Sequence, residues 1–222
     1  VILVDDYSSD GTRAWLSGLD TPWPIKIHLN AVNLGRGGAV KAGMGLASGD
    51  AIGYMDIDCE VSEVYLAAFV MAILGGSDFA VAKRVYMLRY RPYILFRHLQ
   101  SQVYHWLIRR FIRVKASDSE AGYKFFSRRA VEAILSVSRF DNWFWDTEVT
   151  CFMEQGCFVM SEIPGAYLRN PLKTSSVRVL KDSLDYLHSM AKFRDYARTG
   201  NYKGSWLGKS DLDHPKKIKK YA

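Results

Sequence analysis

In the stretch Asp56-Ile57-Asp58-Cys59-Glu60, residue type and spacing point most directly to chemistry. Two carboxylates one residue apart, released from the end of the apolar run Ala51 to Met55, can set oxygens on one hard divalent cation. Mg²⁺ or Mn²⁺ suits such a pair, because it keeps its other positions for water and substrate phosphates. Glu60, two residues further in an extended segment, points the same way and adds a ligand or holds a bound water. The plainer alternative is an acidic turn with solvated side chains, and a D-x-D pair alone does not separate the two.

Other clusters share this ambiguity. Asp5-Asp6 opens an acidic loop through Thr12 that either binds a ligand or caps and turns the chain. Asp146 and Glu148 follow the aromatic cluster Phe140 to Trp145. They serve as a general base or donor contacts, or as a hydrogen-bonded framework around Trp143 and Trp145. Gly35-Arg36-Gly37-Gly38 precedes a helix, but the full G-x-G-x-x-G spacing is absent, as is a P-loop lysine-serine. A dinucleotide-binding oxidoreductase is therefore a poor reading.

The elements that must position these groups follow from periodicity. Val1–Val4, Ile25–Leu29 and Ala51–Met55 read as strands, with helices over 12–19 and from about Gly35 to Leu46. Strand, helix, strand, helix, strand at this spacing predicts an α/β fold, with a mostly parallel sheet covered by helices. Ligands bind outside the carboxyl ends of such strands, where both acidic loops fall. A helix over 63–74, a strand Phe79–Ala82 closed by Lys83 and Arg84, and a helix Arg97–Ile112 come next. Further on are a short strand after Asp118, a helix Arg129–Val137, a strand from Phe158 that stops at Pro164, and a helical face from Val177. With 222 residues, a net charge of +7 and 49% apolar residues, the chain is large enough for a real core and suits an anionic partner. Three cysteines without C-x-x-C spacing point to free thiols in a reducing compartment. The longest apolar stretch, Val64 to Leu74, is too short to span a bilayer.

The ordered set V-D-D-x-S-x-D-G-T, N-x-G-x-G-G-A, D-x-D, D-x-x-x-G-Y-K and W-x-x-D-x-E resembles the family 2 glycosyltransferases. It is most similar to the dolichyl- and polyprenyl-phosphate glucose and mannose synthases, over roughly residues 1–180. The resemblance implies a GT-A-type fold in which Asp5 and Asp6 lie at the nucleotide base and ribose. It places Asp56 and Asp58 at the metal and diphosphate, with Glu60 where relatives often carry glutamine. Gly37 and Gly38 border the donor, where glycine lets backbone approach a ligand. It also implies that Arg84, Arg97 and Ser101 hold the lipid phosphate, and that Arg169 and Ser175 belong to a loop closing on the diphosphate. Ser176 stands where lysine is usual in that loop.

The expected reaction moves a hexose from UDP-glucose or GDP-mannose to a polyprenyl or dolichyl phosphate, with inversion, on Mg²⁺ or Mn²⁺. A phosphate acceptor is already anionic, whereas a hydroxyl acceptor needs a base such as Asp146 or Glu148. The rivals are a hydroxyl-acceptor transferase and a degenerate binding domain. A nucleic-acid-binding module is disfavoured, because the basic residues form no recognised motif. Residues 1–175 are expected to form the catalytic domain, lacking the first strand that relatives carry. Residues 176–222 are expected to add an amphipathic helix and a basic tail. These segments suggest a cytoplasmic protein lying peripherally on a membrane surface, directly or through an anchored partner.

Overall fold

The computed structural model describes residues 1–86, 118–156, 158–167, 179–198 and 219–220. Arg97, Ser101, Arg169, Ser175 and Ser176 lie outside the described residues, as does the expected helix Arg97–Ile112.

Strand β1 (Ile2–Asp5) pairs in parallel with β2 (Lys26–Leu29), with α1 (Thr12–Ser17) between them in the chain. Helix α2 (Gly35–Leu46) follows and packs on both β1 and β3 (Ala51–Met55). A single 3₁₀ turn, Glu63–Tyr65, leads into α3 (Leu66–Leu74) and then β4 (Phe79–Tyr86). After it come β5 (Tyr123–Ser127), α4 (Arg128–Val137), α5 (Trp145–Gln155), β6 (Met160–Tyr167), α6 (Val179–Arg198) and the two-residue β7 (Lys219–Lys220). The second sheet has the order β3-β5-β4-β6-β7.

The sheet is mixed. β4 and β6 run parallel, while β5 runs antiparallel to both of its neighbours, β3 and β4. Among the described residues, β1 pairs only with β2 and β3 only with β5, so α2 is the element that joins the two sheets.

Several elements differ from expectation, β4 among them, which continues past Ala82 to Tyr86. β6 does not stop at Pro164 but continues to Tyr167, with Pro164 opposite Lys83 of β4. Proline is tolerated there because, among the described residues, β7 pairs only with Ser161 and Glu162 and no ladder partner faces that edge of Pro164. Helix α5 was not read from the pattern at all. Nine consecutive residues from Trp145 to Met153 are buried, polar ones included, so no amphipathic stripe marks it.

Aromatic side chains fill the core on both sides of β5. Phe125 and Tyr123 meet Phe69 of α3, while Phe126 stacks on Phe79 and Tyr54. Tyr186 and Phe193 of α6 join the same buried cluster, with Phe144 against both. The close approach of β3 to β5 depends on Gly53, where a Cβ would sit 2.5 Å from the Phe125 ring. Gly53→Ala is expected to destabilise the domain by about 1–3 kcal/mol through overpacking. Chemical denaturation followed by circular dichroism checks this, and an unchanged midpoint would remove Gly53 from the packing argument.

Candidate active site

The acidic residues of the D-x-D stretch stand at the carboxyl end of β3. Asp56, Asp58 and Glu60 line one pocket with Arg84, Glu120, Tyr123 and Tyr167. The backbone N–H of Asp56 donates to the Gly122 carbonyl, 2.9 Å away, so the start of β5 fixes where the acidic loop leaves the sheet. Cys59 takes a left-handed conformation (φ 50°), which curls the loop back on itself. The backbone N–H of Glu60 then donates to Asp58 Oδ1 at 3.2 Å, and Tyr167 at the end of β6 donates its hydroxyl to Glu60 Oε2. Ile57 projects outward, 91% exposed, while the flanking carboxylates line the pocket.

Arg36, in the first turn of α2, reaches into this site. Its Nη1 donates to Asp56 Oδ1 and its Nε to Asp146 Oδ2, both at 2.7 Å. The guanidinium lies over the rings of Tyr54 and Trp143, 5.8 and 5.2 Å from their centroids. Asp146 is buried at the start of α5 and accepts on its other oxygen from Tyr54 and from Lys124 Nζ, the latter at 2.5 Å. Lys124 is fully buried, and it also donates to the Ala121 carbonyl at 2.6 Å.

The electrostatics follow from these contacts. Burial would raise the Asp146 carboxyl, but Lys124 and Arg36 outweigh it and bring its pKa down to about 2. Burial lowers Lys124, with Asp146 opposing. At Asp56 burial prevails over Arg36, so its pKa is raised.

Asp146 and Glu148 therefore have different surroundings from those a general base requires. Glu148 is buried and accepts from Ser138 Oγ (2.8 Å) and from the backbone N–H groups of Arg139 (2.9 Å) and Phe140 (3.3 Å). It staples the loop between α4 and α5. Asp146 has both oxygens engaged by cations or a phenol. Both carboxylates fit the framework alternative.

The Asp5-Asp6 pair is divided in the same way. Asp6 accepts from Asn30 Nδ2 and from the backbone N–H groups of Leu34 and Gly35, each at 2.8 Å, which caps α2. Asp5 is buried and accepts from Ser8 N–H and Arg13 Nη1, but its Oδ1 has no hydrogen-bond partner among the described residues. The Ser8 hydrogen bonds, opposed by burial, hold its carboxyl below the usual range. The next two donors of α2, Gly37 and Gly38 N–H, go to the Asp141 carbonyl at 2.7 and 3.1 Å. A Cβ at Gly37 would lie 2.5 Å from Trp145 Cβ, and one at Gly38 would lie 2.6 Å from Leu34 Cβ. Packing inside the protein thus also requires glycine at both positions.

Arg84 opens onto the D-x-D pocket, and its fork is held by Asp118, with Nη2 at 2.7 Å from Oδ1. Its guanidinium lies 5.4 Å from the Tyr167 ring centroid. Lys124 and Gly122 are the residues that sequence reasoning left without a role. The G-Y-K motif named them, but only the fold shows that one neutralises Asp146 and the other makes room for Asp56.

No three acidic, histidine or cysteine side chains among the described residues group so as to hold a metal ion, Asp56, Asp58 and Glu60 included. Two carboxylates on one open pocket still fit a hard cation that draws its remaining ligands from water and phosphate oxygens.

The sequence profile described as "Glycosyl transferase family 2" matches residues 1–135. The chain belongs to glycosyl transferase family 2. This glycosyltransferase is 32% identical to Glycosyltransferase AglD of Haloferax volcanii over 152 residues, which is 68% of this chain and 24% of that protein. It is 32% identical to a Dolichol-phosphate mannosyltransferase of Pyrococcus furiosus over 84 residues, 38% of this chain and 24% of the other. The chain thus spans about a quarter of the length of these curated relatives. Among solved structures, it is similar to glucosyl-3-phosphoglycerate synthase from Mycobacterium tuberculosis in complex with UDP. The TM-score is 0.63 at 15% identity, covering 87% of this chain and 68% of that one. Mannosyl-3-phosphoglycerate synthase from Rubrobacter xylanophilus gives a TM-score of 0.51 at 16% identity, over 91% of this chain and 64% of that one. These likenesses establish the GT-A-type fold of the family 2 glycosyltransferase.

Two outcomes test the site's architecture. Lys124→Met leaves Asp146 and Arg36 in place but removes a buried partner, so it is expected to cost about 3–5 kcal/mol of stability in a denaturation experiment. The pH dependence has a definite sign. Asp146 has a folded pKa of about 2, below its ordinary 3.8, so its stabilisation is present above 3.8 and fades as pH falls toward 2. The difference in thermal midpoint between wild type and Asp146→Asn should accordingly narrow between those values, and a constant difference would contradict the assignment.

Proposed function

We propose that this family 2 glycosyltransferase moves a hexose from a nucleotide sugar, UDP- or GDP-linked, to a polyprenyl or dolichyl phosphate, with inversion at the anomeric carbon. The observation that carries this reading is the engagement of Asp146 and Glu148. Asp146 is held by Arg36, Lys124 and Tyr54, and Glu148 by Ser138 and two backbone N–H groups. Neither carboxylate is placed to take a proton from an acceptor hydroxyl. A phosphate acceptor requires no such transfer, since it is already anionic at neutral pH with a second pKa of about 6.

The rest of the pocket supports the same chemistry. Asp56 and Asp58 would hold Mg²⁺ or Mn²⁺, with Glu60, positioned by Tyr167, placed to hold a bound water. The cation would supply Lewis-acid neutralisation of the leaving diphosphate. Arg84 brings a guanidinium to the same pocket, one edge of it held by Asp118, and arginine suits charge-assisted bonds to phosphate. On the family resemblance, Arg97 and Ser101 are assigned to the acceptor phosphate, and Arg169 and Ser175 to a loop that closes on the diphosphate. Asp5, with one buried oxygen lacking a partner among the described residues, is placed to accept a hydrogen bond from the nucleotide. The name of the Pyrococcus relative supports the lipid-phosphate acceptor. A divalent ion and a uridine donor gain support from the mycobacterial synthase, solved with Mn²⁺, UDP-glucose and phosphoglyceric acid.

No described helix is long and apolar enough to cross a membrane. For access to a lipid substrate we assign a peripheral position on the cytoplasmic face, using the positive net charge of +7. The catalytic unit is taken as residues 1–175.

The test is a transfer assay using Mg²⁺ or Mn²⁺, a short polyprenyl phosphate and labelled UDP- and GDP-sugars. Metal-dependent transfer of one sugar to the lipid is expected, with Asp58→Ala reducing the rate at least about 100-fold, the scale on which charge stabilisation acts in catalysis. Transfer to a glycan hydroxyl instead would overturn the acceptor, and silence with every donor would favour a binding domain without turnover.

A further inference from the structure

The position of Arg36 leads beyond the overall reaction. Its two ion pairs are unequal. The Asp146 side chain is 3% exposed, whereas that of Asp56 is 38% exposed and lines the D-x-D pocket. The Nε end of the guanidinium is therefore pinned to a buried carboxylate, and its Nη1 end reaches a carboxylate open to ligand. The Tyr54 and Trp143 rings lie beside the guanidinium, and this rigid, planar group turns only as one unit about its Nε contact with Asp146.

Asp56 is just as constrained. Arg36 takes its Oδ1, and its Oδ2 packs so tightly against Gly122 that a Cβ there would lie 1.8 Å away. A divalent cation recruiting Asp56 meets a carboxylate that Arg36 already holds at Oδ1, and two positive groups on one carboxylate repel each other. A guanidinium released there has an evident destination. The donor's diphosphate carries several anionic oxygens to the same pocket, and arginine binds such groups through charge-assisted pairs.

We propose that Arg36 is a positioning residue that exchanges partners, held by Asp56 until a divalent cation claims that carboxylate and then turned onto the donor's diphosphate, with Asp146 as its fixed pivot. The proposal rests on the nucleotide-sugar reading of the pocket but not on the identity of the acceptor. In this arrangement Arg36 and the cation compete for Asp56 in the absence of nucleotide, while both favour the diphosphate in its presence. The stacked aromatic rings and the buried pivot keep the guanidinium at the pocket through the exchange.

The test measures binding rather than turnover. Mn²⁺ affinity without nucleotide is read by electron paramagnetic resonance, and UDP and GDP affinity in metal-free buffer by calorimetry. Arg36→Met should tighten Mn²⁺ by about five- to tenfold, the usual scale of coupling between sites, and weaken metal-free nucleotide binding by a similar factor. Asp56→Asn should do the reverse at the nucleotide, tightening metal-free UDP or GDP binding because Arg36 is released to it. A purely structural Arg36 predicts neither gain. Unchanged or weaker Mn²⁺ binding in Arg36→Met would overturn the exchange, as would weaker metal-free nucleotide binding in Asp56→Asn. If Arg36→Met does not fold, the Asp56→Asn result decides alone. Because no lipid enters these measurements, a failed acceptor assignment leaves the result standing, whereas wild-type protein binding neither Mn²⁺ nor nucleotide would overturn both readings.

Discussion

A buried negative charge organises this protein. Asp146 sits at the start of α5 with almost no access to water, a position that only cationic and hydrogen-bonding partners make tolerable. Those partners come from separate elements: Lys124 from β5, Tyr54 from β3 and Arg36 from α2. The need to satisfy one carboxylate thus fixes the relative placement of two strands and two helices around the carboxyl end of the sheet. The D-x-D pocket lies beside that point, and Asp56 is drawn into the same arrangement through Arg36.

The glycines show how packing refines what charge begins. Gly37 lets α2 lie directly on Trp145, so Arg36 arrives at the height of Asp146. Gly122 lets the Asp56 carboxylate lie against the backbone that precedes β5. In both places the missing side chain determines where a charged one ends up. The network is therefore rigid on its buried side and open on the side that meets the pocket.

Much of this was legible before the fold was known. The three strand-helix repeats at the start, and the acidic residues at the ends of β1 and β3, follow from periodicity and composition. The ordered motifs pointed to the family that the profile match establishes. What escaped notice has physical reasons. Helix α5 is buried on every face, so its polar residues Asp146, Thr147, Glu148 and Thr150 mask the apolar stripe on which detection depends. The antiparallel course of β5 depends on pairing with both β3 and β4, which no local pattern encodes. Pro164 looks like a strand breaker until β6 is seen to have, among the described residues, no ladder partner on that edge. Lys124, in an ordinary-looking Gly-Tyr-Lys, gives no local sign that its ammonium is buried against a carboxylate.

The two acidic loops, 50 residues apart in the chain, end on adjacent residues of one helical turn. Asp6 binds the backbone N–H of Gly35, and Asp56 binds the side chain of Arg36. One turn of helix is too short and stiff to absorb a displacement between neighbours. The first turn of α2 therefore acts as a mechanical link across the carboxyl edge of the sheet. Thermodynamic linkage makes that relation mutual: an event at the end of β3 that alters the hold on α2 alters the loop after β1 by the same free energy, and the reverse holds equally.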